Sequence, residues 1–132
     1  MKRINALTKQ LDRIEKKQTE TEAAFDKLVE ECAQLDNFLR ENNNPKPEMQ
    51  LLRAYLPQYE DEREAIEQDI EYSYSQINDL KDDFAKGLYD ETQRDEYLKS
   101  EEKAVKTLEA KLDYFIDRFE KQSEYIKSIE KQ

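Results

Sequence analysis

The chain has 132 residues and a net charge of −10, with 41% charged and 36% hydrophobic side chains, one glycine, three prolines, one cysteine and no histidine. That length suits one domain. The missing histidine removes the commonest general base and transition-metal ligand, and a single glycine excludes glycine-rich phosphate loops.

The first segment places Ile4, Leu7, Leu11, Ile14, Gln18, Thr21, Phe25, Leu28, Cys32, Leu35 and Leu39 at alternating steps of three and four. This is a coiled-coil seam, and it predicts a helix over about 3–41. The start of the chain is basic but has no continuous apolar region, so it does not read as a secretory signal. Cys32 falls on the seam, which predicts a buried, inert thiol; with no second cysteine for a disulfide, a reducing compartment follows. The asparagines and prolines of Asn42–Pro47 end the helix, since the residue before proline avoids helical geometry and asparagine tolerates turns.

The second segment resumes the rhythm with Met49, Leu52, Leu56, Tyr59, Arg63, Ile66, Ile70, Ser73, Ile77, Leu80 and Phe84, a helix over about 47–86. Pro57 falls inside it. Either the helix kinks there or a short helix ending near Tyr55 precedes a longer one with Pro57 in its first turn; the unbroken register favours the kink. Gly87 then stops the helix, and Asp90 with Gln93 forms a capping box that opens a third helix over about 90–131. Its seam is Leu98, Glu101, Val105, Leu108, Leu112, Phe115, Phe119, Gln122, Ile126 and Ile129.

Short connections between helices of about 60 Å predict antiparallel neighbours. The expected fold is all-α, a single domain over 1–132 in which three long antiparallel helices form a coiled-coil-like three-helix bundle, an up-down-up rod. That architecture is similar to spectrin-type three-helix repeats, although no spectrin sequence signature is present. Three seams satisfied within one chain favour a monomer over a homodimer. The polar seam residues Gln18, Thr21, Arg63, Ser73, Glu101 and Gln122 should pair, reach the core edge or admit water, and serve to select register.

Charge is unevenly spread. Residues 42–87 carry a net −6, against −1 for 1–41 and −3 for 88–132. An antiparallel pairing of the first two helices would bring Lys2, Arg3 and Lys9 towards Asp79, Asp82 and Asp83. The acidic stretch from Glu60 to Glu71 has no such obvious partner. With the flanking tyrosines Tyr72 and Tyr74, it supplies the candidate partner-binding residues Glu60, Asp61, Glu64, Glu67, Asp69, Glu71, Tyr72 and Tyr74, because tyrosine anchors protein interfaces and carboxylate rows select basic partners.

The functional expectation is a non-enzymatic helical protein–protein interaction module, a scaffold, adaptor or assembly factor that binds a protein partner through coiled-coil faces and the acidic, tyrosine-bearing middle helix. The alternative is an acidic inhibitor or nucleic-acid mimic that blocks a basic nucleic-acid-binding protein, as in mobile-element or phage counter-defence proteins. Direct nucleic-acid binding, membrane insertion, metal and cofactor are not expected, and the cytoplasm is the expected compartment. Glu101 is the only carboxylate on a seam, too little for a di-iron bundle site.

Overall fold

The computed structural model describes residues 2–44 and 46–130 and contains three α-helices, α1 (Lys2–Glu41), α2 (Pro47–Ala85) and α3 (Glu91–Glu130), with no strand among the described residues. The fold is an all-α three-helix bundle. Lys131, the expected last residue of the third helix, lies outside the described residues.

The ends follow from local chemistry. α1 and α2 both stop in a Schellman turn. At the end of α1, Asn43 takes φ +51°, Asn44 N–H donates to Leu39 O at 2.9 Å and Asn43 N–H to Arg40 O at 3.2 Å. At the end of α2, Gly87 takes φ +70°, while Leu88 N–H reaches Asp83 O and Gly87 N–H reaches Phe84 O, each at 3.1 Å. Both turns satisfy carbonyls that the helix itself leaves open. α3 opens on a reciprocal box: Gln93 N–H donates to Asp90 Oδ1 at 2.8 Å and Asp90 N–H to Gln93 Oε1 at 3.1 Å. Pro47 is the first residue of α2, where its missing N–H costs nothing.

α2 is not split at Pro57. It runs unbroken from Pro47 to Ala85 with Pro57 inside. A proline costs about 3 kcal/mol in a helix interior. Here Leu56 and Tyr59, on either side of it, are both buried, so keeping the register across the proline seats two large side chains in the core.

Packing gathers into two compact units, and each takes a stretch of all three helices. One comprises Met1–Gln18 and Ala65–Leu112; the other comprises Thr19–Glu64 and Asp113–Gln132. In the second, Arg53 pairs with Asp36 at 3.3 Å and Arg63 with Glu22 at 3.5 Å, so α1 and α2 run antiparallel. Phe25 meets Phe119 there and Ser123 Oγ donates to Glu31 at 2.7 Å, so α1 and α3 run parallel. Its core is aromatic: the Tyr59 ring lies 4.8 Å from Phe25 and 4.9 Å from both Phe115 and Phe119.

In the first unit, Arg3 reaches Asp95 at 2.6 Å and Glu102 at 2.8 Å, and Gln10 reaches Glu109 at 3.4 Å, again setting α1 parallel to α3. This corrects the expected pairing of Arg3 with Asp79, Asp82 and Asp83 on α2. The flank of α1 that carries Arg3 faces α3, whose first turns supply the two carboxylates.

Every buried residue of the described chain lies on one of the three seams, from Ile4 on α1 to Ile129 on α3. Four seam positions escape burial. Arg63 is exposed, and Phe84, Glu101 and Gln122 are half-buried. Three of these carry polar groups that would be costly to desolvate; Phe84 sits in the last turn of α2, under the ring of Tyr89. The Cys32 thiol is buried and its pKa is raised by that burial, in keeping with an inert core residue.

Candidate functional site

α2 carries the expected site residues, and the structure separates them into groups. Glu60, Asp61 and Glu64 belong to the unit containing Thr19–Glu64, whereas Glu67, Asp69, Glu71, Tyr72 and Tyr74 belong to the other. All six carboxylates are exposed. None of them is in an ion pair with any described residue. Some acids elsewhere are matched, since Asp36, Glu22, Asp95 and Glu102 each hold an arginine from another helix. Glu20, Glu41, Asp79, Asp82, Glu120 and Glu124 are exposed without an ion pair among the described residues, as those of α2 are. Each unit therefore presents unpaired acids from α2, with Glu60 and Glu64 as one i,i+4 pair and Glu67 and Glu71 as the other.

Tyr72 and Tyr74 do not form one surface. Residues two apart on a helix point about 160° away from each other. Tyr74 is half-buried on the α1 side, where its hydroxyl donates to Asp12 Oδ1 at 2.7 Å and lies 3.2 Å from Glu15 Oε2. Burial, reinforced by these two carboxylates, raises the Tyr74 pKa strongly. Glu67 and Glu71 share the Tyr74 flank of α2 at i−7 and i−3.

Tyr72, 64% exposed, faces the other way. With Asp69 and the buried Ser73 it lines an open groove of about 420 Å³ against Ser100, Lys103, Ala104, Thr107, Leu108 and Lys111 of α3. The groove exists because Ser73, Ser100 and Ala104 are too small to fill the space between the helices. Its charge is mixed, since the lysines of α3 face Asp69. The expected grouping of both tyrosines with Glu67, Asp69 and Glu71 thus divides into an acidic flank beside α1 and a mixed groove beside α3.

A second groove lies wholly within the other unit. Tyr55, Gln58, Asp61 and Glu62 of α2 face Tyr114 and Phe115 of α3 across about 360 Å³. The guanidinium carbon of Arg118 lies 4.7 Å from the Tyr55 ring centroid, a cation–π contact. Burial and the neighbouring Tyr114 push the Tyr55 phenol up to about 12. Of the residues lining this groove, only Asp61 was expected at a site. The signal for the others was present in the sequence: Tyr55 and Tyr114 each sit one position before a seam residue, Leu56 and Phe115, and so border the core.

Glu101, the one seam carboxylate, is half-buried and its pKa is raised by that burial. No second acid joins it, and no group of three or more metal-ligating side chains occurs among the described residues. No described helix is long and apolar enough to cross a membrane. No family model, no curated protein and no solved structure matches the chain.

Proposed function

We propose that the chain is a non-enzymatic helical interaction module that binds a basic protein through the exposed carboxylates of α2. The observation that carries this reading is density: six exposed carboxylates without an ion pair among the described residues, Glu60, Asp61, Glu64, Glu67, Asp69 and Glu71, fall within residues 60–71. Interhelical acids at Asp36, Glu22, Asp95 and Glu102 are matched to arginines. Unmatched like charges, present in each unit, raise the local field and steer oppositely charged partners.

The same packing narrows how a partner can bind. The seams are consumed inside the chain, with Leu11, Ile14, Val105, Leu112 and Ile126 fully buried, so a partner meets helix flanks rather than seams. Closed seams also favour action as a monomer.

Salt and charge reversal test the reading. A lysine-rich protein probe should bind the wild-type chain, and binding should weaken steeply between 50 and 200 mM salt, on the order expected for several exposed charges. Reversal of Glu60, Asp61, Glu64 and Glu67 to lysine should abolish it. Binding that survives both would instead indicate apolar docking. Once a native partner is in hand, displacement of the chain by duplex DNA would select the nucleic-acid-mimic form of the same chemistry, and coexistence with DNA would exclude it.

A further inference from the structure

We propose that the groove between Tyr55, Asp61 and Glu62 of α2 and Tyr114 of α3 binds a lysine or arginine side chain of the basic protein partner. This rests on the preceding reading and gives it a specific seat.

Three features converge there. The walls are aromatic: Tyr55, Tyr114 and Phe115 line one open cavity of about 360 Å³, room enough for a long basic side chain. Ring faces carry negative quadrupole density that attracts ammonium and guanidinium groups. The rim is acidic, with Asp61 exposed and in no ion pair among the described residues, and Glu62 beside the cavity.

The chain itself provides the third feature. Arg118 already holds its guanidinium 4.7 Å from the centre of the Tyr55 ring, so a ring bordering this groove is presented to a cation in the ground state. Tyr114 is 56% exposed and no described cation covers it, which leaves its ring open to one from outside. Long basic side chains suit such a site because their methylene stems lie along the rings while the charge reaches the carboxylates.

The test is a titration of the 132-residue chain with a blocked tetralysine peptide at low salt, followed by backbone amide shifts. Saturable shifts should concentrate at Tyr55, Gln58, Asp61, Glu62 and Tyr114. Tyr114→Leu keeps the charge and removes the ring; it should weaken binding about threefold, the range expected for one exposed cation–π contact. Asp61→Asn should weaken it similarly. Arg118→Gln uncovers the Tyr55 ring and should strengthen it. Both Tyr114 and Asp61 are exposed, so an unchanged helical circular dichroism spectrum checks that the variants fold. If Tyr114→Leu binds like wild type while reversal of Glu64 and Glu67 abolishes binding, the groove assignment fails and the broader acidic-helix reading stands. If the wild type does not bind the peptide, both fail.

Discussion

Tyr74 bridges α2 to α1 by donating its hydroxyl hydrogen to Asp12 at 2.7 Å, with Glu15 only 3.2 Å away. One phenol therefore stands against two carboxylates of α1. Tyr74→Phe removes this donor and leaves the acids facing a bare ring. The expected loss is about 0.5–1.5 kcal/mol, the net worth of such a hydrogen bond. Urea denaturation would report it as a lower midpoint at unchanged slope.

Tyr59 presents the opposite situation. Its ring contacts three phenylalanines, yet its hydroxyl is buried without a hydrogen-bond partner among the described residues. An unsatisfied buried hydroxyl costs on the order of 1–3 kcal/mol. Tyr59→Phe should therefore be neutral or stabilise the chain by about 1 kcal/mol, whereas Tyr59→Ala should destabilise it by about 3–5 kcal/mol through the cavity left behind. Denaturation midpoints of the two variants separate the roles of ring and hydroxyl.

Gly87 isolates the cost of a left-handed residue. A Cβ added there meets nothing within 4 Å, so any penalty is in the backbone alone. Gly87→Ala should destabilise the chain by about 1 kcal/mol, the left-handed penalty partly offset by a less flexible unfolded chain. Gly87→Asn should cost less, because Asn43 makes the same turn at the end of α1. Thermal unfolding of the pair checks the order.

Alkali should destabilise the fold through its phenols. Burial raises Tyr55 and Tyr59 to about 12, and Tyr74 is raised as well. An unfolded tyrosine ionises near pH ~10. The folded state holds these protons longer, so their contribution is fully present below about pH 10 and is lost as pH rises from there towards 12 and beyond. Tyrosinate absorbance should still be rising well above pH ~10, with that late rise coincident with loss of helical circular dichroism. A single step near pH ~10 with the helix intact would contradict the assignment.

Most of the fold was legible in the sequence because the helical period is local. Steps of three and four from Ile4 to Leu39, from Met49 to Phe84 and from Leu98 to Ile129 located the buried face without knowledge of any neighbour. Asp90, Gln93 and Gly87 located ends for the same reason, since each acts within six residues. The identity of neighbours was not legible. Arg3 finds Asp95 and Glu102 more than ninety positions away, and a heptad pattern does not state which flank of α1 faces α2 and which faces α3. The site divided for the same reason: Tyr72 and Tyr74 are two positions apart in sequence but on flanks bordering different helices. Tyr55 and Tyr114 meet only once α2 and α3 are set antiparallel.

The most direct test of the acidic-helix reading compares two chains of equal net charge. In one, Glu60, Glu64, Glu67 and Glu71 on α2 become glutamine; in the other, the exposed Glu20, Glu41, Glu120 and Glu124 on α1 and α3 do. Both remove four negative charges from −10. Affinity for a lysine-rich protein probe at fixed ionic strength should fall about tenfold in the first chain, about 1.4 kcal/mol, and stay within twofold of wild type in the second. Equal loss in both would show that net charge alone attracts the probe and that α2 has no special role.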